Sequence, residues 1–396
     1  MNDPRKEGQP PAASPALSLL LRPRMTFWTV ALGALVTVFL VITFIRFTRG
    51  LGAVTNLSDA FPWGIWIGFD ILCGVGLAAG AFTLTAVVHI FNIRRFEPIV
   101  RPALLTGFLG YLFVIIALMF DLGQPWRIWH ALVFWNPHSV MFEVAWCVML
   151  YTTVLALEFS PVVFERLGME RPRRVIKALT IPLVLAGTIL STLHQSSLGS
   201  LYLIVPSKMH ALWWTPFMPL LFYLSAIGAG LGMVIIESNL SGRAFGHRLD
   251  MSLLEPLGRA MVVVLAIYGM LRLEILARAG LLGTLLHPGY EEMMFLIEIS
   301  LGVVLPCLLL LVPAIRRRPD GLVAGAFLAV LGFVMNRLNV SVTALERSSG
   351  VHYFPSWMEV TVSVTLVAIG FAVFAMAVRQ LPIFPQHEDD GEPVAA

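Results

Sequence analysis

The stretch PALLTGFLGYLFVIIALMFD, from Pro102 to Asp121, is twenty residues long and carries no charge before its last residue. At a rise of about 1.5 Å per residue, a helix of that length crosses the ~30 Å hydrocarbon layer of a bilayer. Charged residues stop at its edges, with Arg94, Arg95, Glu97 and Arg101 before it and Arg127 after it. In lipid every backbone amide must be satisfied within the segment, which selects a helix. The same pattern recurs in both directions, over 25–47, 61–91, 139–158, 175–194, 211–236, 255–277, 292–313, 322–341 and 357–379, so about ten spanning helices are expected. Only 13% of the 396 residues are charged. That is half the roughly 25% of an ordinary soluble domain, and it excludes a soluble enzyme. The net charge of +3 gives no footing for a nucleic-acid partner.

The expected fold class is therefore an all-α integral membrane protein. Residues 1–24 are polar and rich in Pro and Ala and read as a disordered tail, followed by a first span and loop over 25–60. Two four-helix bundles are expected over 61–200 and 201–345, then a last span over 346–379 and a tail over 380–396. An internal duplication is hinted at. Trp63, Trp66 and Gly74, Gly76, Gly80 in the first half find counterparts in Trp213, Trp214 and Gly228, Gly230, Gly232 in the second. Lys and Arg divide 18 to 6 between the two sets of loops, which places both termini in the cytoplasm by the positive-inside rule.

Ionisable side chains within spans are costly and mark sites. Asp70, Asp121, Glu143 and His194 all fall toward the outer side of the first bundle, a grouping suited to taking up or releasing protons. Each has a plainer reading. Asp121 with Arg127 would make an interfacial salt bridge, His194 would bond backbone at a helix end, and the nearby tryptophans would form an interfacial belt. His89, Glu158 and Glu237 lie toward the cytoplasmic side, as interfacial groups or the mouth of a proton path. In the second bundle Arg272, Glu274, Glu298 and Arg337 are expected to form ion pairs, Glu274 with Arg337 above all, because buried charges need partners.

Cys73, Cys147 and Cys307 are scattered through apolar runs and give no ligand set for a metal or an iron–sulfur cluster. Haem between helices needs ligands at matched depth. His89 and His194 fall at opposite faces, so no haem is expected. A secondary transporter and a purely structural anchor remain as alternatives. The polar residues collect on one side rather than about a midplane, which weighs against the transporter.

Asp121-Leu-Gly-Gln-Pro-Trp-Arg127 resembles the Asp-Leu-Gly-x-Pro-x-Arg signature of the NrfD/polysulfide-reductase family of membrane subunits. The segments 190–200 (LSTLHQSSLGS), 336–340 (NRLNV) and 353–359 (YFPSWME) resemble its ten-span, HybB-type branch, the cytochrome-b-like subunits of periplasm-facing nickel–iron hydrogenases. Gln124 stands where that signature often has arginine. The resemblance implies a subunit of the cytoplasmic (inner) membrane that binds quinone, menaquinone or ubiquinone, near the outer face of the first bundle. It implies no haem. It implies as partners a periplasmic ferredoxin-like iron–sulfur subunit and catalytic oxidoreductase subunits such as those of a nickel–iron hydrogenase. On that resemblance Asp121 and Arg127 belong to the family motif, and His194 lies in a family segment.

Overall fold

A computed structural model describes residues 27–246 and 250–384. The tail expected over 1–24, and residues 385–396 of the one expected over 380–396, lie outside them. The described chain is helical throughout its ordered elements, in the sequence α1 (Phe27–Arg49), α2 (Trp66–His89), α3 (Glu97–Asp121), α4 (Val140–Arg166), α5 (Glu170–Ala178), α6 (Thr180–Ser200), α7 (Met218–Phe245), α8 (Met251–Arg278), α9 (Tyr290–Leu311), α10 (Pro319–Ser349) and α11 (Trp357–Gln380). Nine of these are long and apolar enough to cross a membrane, and α5 with α6, bent by 59°, would make a tenth. The chain is a multi-pass α-helical membrane protein.

The face where α1 begins is called near and the face where it ends is called far. Successive spans then alternate, so Asp121 at the end of α3, Glu143 in the first turn of α4 and Ser200 at the end of α6 lie at the far face. Two boundaries differ from the sequence reading. The run expected to open a span at 175 is split, because Glu170-Arg-Pro-Arg-Arg174 is too charged for hydrocarbon and forms the separate helix α5. The span then continues to Ser200, which leaves His194 inside the helix rather than at its end. The run expected from 61 becomes helical only at Trp66, and its first turns, Trp66–Ile71, are π-helical. Further π turns occur at Ser300–Val304 in α9 and Asn339–Thr343 in α10. Such turns interrupt the ordinary helical ladder and recur at functional sites.

Helices α2, α3, α4 and α6 pack in a closed ring, and α7 to α10 pack in another. We read these rings as the bundles expected over 61–200 and 201–345. The rings meet where α2 lies on α7. There Gly80 and Gly230 bring the two backbones together, and a Cβ on Gly230 would collide with the amide of Gly80. Small residues at such crossings are how membrane helices gain van der Waals contact without a hydrophobic drive. Helices α1 and α11 pair outside the rings, against α3 and the far end of α2.

Candidate functional site

The buried charges of the first half converge at the far ends of α1, α2, α3 and α11. Ser356 caps α11 by accepting from the Glu359 amide at 3.1 Å, and Glu359 returns the bond to the Ser356 amide at 2.8 Å. The Glu359 carboxylate is fully buried and also accepts from the Asn56 amide at 2.9 Å and from the Tyr353 hydroxyl at 2.5 Å. The Trp66 indole donates to the Glu359 carbonyl at 3.2 Å, so α11 is bolted to the start of α2. Arg46, 2% exposed, donates to the carbonyls of Phe120 and Leu122 at 2.7 and 2.5 Å. These are the carbonyls that the end of α3 leaves without helical partners. Asp121 sits beside this guanidinium, and one of its carboxylate oxygens is buried with no partner. Asp70, in the first turns of α2, accepts from the Ser363 hydroxyl of α11 at 2.6 Å.

Asp70 faces a cavity of about 610 Å³ lined by α2, α3, α7 and α11. Its walls are almost wholly apolar, among them Leu77, Phe113, Val114, Leu366 and Phe374. The other carboxylate on its lining is Glu237 of α7, which accepts from Thr106 at 2.7 Å toward the near face. The volume falls within the ~300–1,000 Å³ of typical small-molecule pockets. A long apolar chamber with one acid at its far end has the shape and chemistry for an amphiphile with a small polar head.

The other expected site residues are placed elsewhere. His194 is completely buried within the first ring, where its Nδ1 lies 2.8 Å from the Tyr111 hydroxyl and its Nε2 has no partner. Tyr111 in turn packs edge-on against Tyr151, with ring centroids 4.7 Å apart. Glu143 is exposed at the far end of α4 and accepts from Ser197 at 2.5 Å. Arg127 lies exposed in the loop after α3, and no salt bridge joins it to Asp121 among the described residues. His89 is half-buried at the near end of α2, and Glu158, near the near end of α4, has a buried oxygen without a partner. Thus Asp70 and Asp121 share a junction with Arg46 and Glu359, whereas His194 and Glu143 belong to the interior and rim of the first ring.

The ion pairs expected in the second ring are corrected. Glu274 is exposed and bonds Arg278 on its own helix at 2.5 Å. Arg337, 1% exposed, donates to Asn336 Oδ1 at 2.6 Å and Ser225 at 2.9 Å, and its guanidinium lies between the rings of Phe222 and Phe333. Glu298 accepts instead from Asn336 at 2.7 Å, Trp213 at 2.8 Å and Asn339 at 2.8 Å. Arg272 reaches the Trp213 carbonyl at 3.5 Å and lies over Phe295. The charges are linked through neutral groups, chiefly the Asn336 side chain, which accepts from Arg337 with its oxygen and donates to Glu298 with its nitrogen. Trp66 and Trp213 are likewise buried donors rather than members of an interfacial belt.

The sequence reading missed Arg46, Ser363 and Tyr111. Arg46 carried a usable signal, as a cation inside the first apolar run. A serine and a tyrosine in apolar helices are too ordinary to stand out.

Residues 53–346 match the family described as polysulphide reductase, NrfD. The chain is 34% identical over 372 residues to the probable Ni/Fe-hydrogenase 2 b-type cytochrome subunit of Escherichia coli, covering 93% of each protein. It is 32% identical over 371 residues to the menaquinone reductase integral membrane subunit of Nitratidesulfovibrio vulgaris, covering 86% of this chain and 87% of that protein. It is 26% identical to a selenate reductase subunit of Mesobacillus selenatarsenatis, over 88% of this chain and 93% of that protein. The name of the Escherichia coli relative points to haem, and it overturns the expectation of a haem-free chain. The described residues do not fit a haem held by two histidines. His194 lies in the far half of α6, His89 ends α2 at the near face, and no histidine lines the cavity.

Proposed function

The chain belongs to the NrfD (polysulphide reductase) family, and on that premise we propose that it is the quinone-reactive membrane subunit of a respiratory oxidoreductase complex. In this reading it exchanges electrons between an iron–sulfur subunit docked at the far face and the quinone pool of the cytoplasmic membrane. The far face is periplasmic and both termini are cytoplasmic, as the distribution of Lys and Arg favours. The relatives named as subunits of a menaquinone reductase, a hydrogenase and a selenate reductase support a shared membrane module with different catalytic partners.

The observation that carries the reading is the apolar chamber with Asp70 at its far end. Quinone reduction consumes two electrons and two protons, so a headgroup needs a proton donor close to the electron source and an apolar bed for the rest. In its protonated form Asp70 would donate a hydrogen bond to a quinone carbonyl, with Ser363 fixing the orientation of its carboxyl. Asp121, with a free buried oxygen, stands behind it toward the far face. His194 and Glu143 remain quinone-binding or proton-transfer candidates at the same face, Arg127 a quinone-binding candidate there, and His89 and Glu158 proton-path candidates toward the near face. Imidazole is suited to such a relay because it both donates and accepts. Affinity purification in mild detergent tests the assignment. An iron–sulfur subunit and extractable quinone should accompany the chain, and recovery of a chain without either would refute it.

A further inference from the structure

We propose that the chamber opens sideways into the membrane between α7 and α11, and that this gap holds the isoprenoid tail of a quinone whose head lies at Asp70. The proposal rests on the quinone reading above and adds the route of the tail. The chamber runs from Asp70 and Ala117 near the far face to Ala244 and Phe245 at the near end of α7. A headgroup at Asp70 leaves most of that length unfilled. Three residues that line it, Leu240, Val367 and Phe371, are nevertheless 48%, 43% and 55% exposed, so they mark where the wall is breached. Leu240 is on α7 and the other two are on α11, and both helices are long and apolar enough to cross a membrane. Protein backs the chamber elsewhere along its length, because α2 packs on both α3 and α7 and α3 packs on α11.

An apolar chain longer than a headgroup pocket must either fold back or leave, and a lipid-facing breach gives it an exit without crossing water. Gly370 sits on α11 at the same level, where a Cβ would meet only the Phe113 ring at an ordinary 3.6 Å. The helix therefore tolerates side chains there, and the gap can be narrowed without breaking a helix contact.

The test uses the intact membrane complex in proteoliposomes. A menaquinone analogue carrying a diazirine on its terminal isoprene should label peptides containing Leu240, Val367 or Phe371, and unlabelled menaquinone should suppress the signal at least tenfold. The double variant Leu240→Trp/Gly370→Leu should raise KM for long-chain menaquinone about tenfold and leave kcat, and turnover of a tail-less naphthoquinone, near wild type. Labelling confined to the far-face loops or the second ring would overturn the route. Labelling by a diazirine phospholipid that menaquinone does not displace would also overturn it, by making the breach an ordinary lipid groove. If Asp70→Asn keeps full turnover while the gap is still labelled and competed, the head placement fails and the tail route stands.

Discussion

Arg46 shows how one side chain can fix a junction. It is the buried cation nearest Asp121, and it uses its fork to satisfy two carbonyls at the end of α3. Hydrogen bonds from a charged group contribute about 1.5–3 kcal/mol each. Arg46→Met removes both and leaves the carbonyls and Asp121 without their cation. The purified variant should melt several degrees lower and yield less folded protein, which a thermal-shift assay on detergent-solubilised material reads directly. Arg46→Lys should recover only part of the loss, because an ammonium cannot span both carbonyls. Asn336 has the same kind of role in the second ring, as the amide between Arg337 and Glu298. Asn336→Leu would take one donor from Glu298 and one acceptor from Arg337 while each keeps its other partners, and hydrogen bonds to charged groups contribute about 1.5–3 kcal/mol each. It should lower thermal stability by several degrees, whereas Glu274→Gln, at an exposed pair, should change it by less than about 1 kcal/mol.

At the scale of helices, backbone proximity sets the arrangement. A Cβ on Gly332 of α10 would run into the Cα of Gly302 of α9, and both positions are helical backbone that cannot swing aside. Gly332→Val should therefore disrupt the second ring more than the ~1–3 kcal/mol of ordinary overpacking, with loss of the monodisperse peak on size exclusion. The helices themselves were legible in the sequence because a bilayer demands long uncharged runs, and the run from Pro102 to Asp121 forms a span where expected. What was not legible is how polar groups are shared among helices. Asp70 and Asp121 fall on one face in the sequence and meet near one another in the structure, but their neighbours Arg46 and Ser363 come from α1 and α11, distant in sequence. Periodicity says nothing about which helices become adjacent. The same gap explains the ion pair expected between Glu274 and Arg337. Charge and depth suggested it, whereas rotation about the helix axis puts Glu274 outward and Arg337 between two phenylalanines. Within α2, the π turns over Trp66–Ile71 depart from the ordinary helical period, which an uninterrupted apolar run does not signal.

For the whole molecule, orientation and chemistry have to agree. Reporter fusions in the α4–α5 turn at 167–169 should read cytoplasmic, and fusions in the loop between α6 and α7 at 204–208 should read periplasmic. The reverse pattern would put the Asp70–Asp121 junction on the wrong side for a periplasmic electron donor. The central claim is that quinone reacts at the Asp70 end of the chamber. Its most direct measurement is menaquinone turnover by the intact complex carrying Asp70→Asn, set beside electron transfer from the same preparation to a soluble artificial acceptor. Loss of a positioned acid or base commonly costs about 10²–10⁴ in rate. A fall of that order in quinone turnover is expected, with assembly and artificial-acceptor activity preserved. Wild-type quinone turnover in a fully assembled Asp70→Asn complex would contradict it.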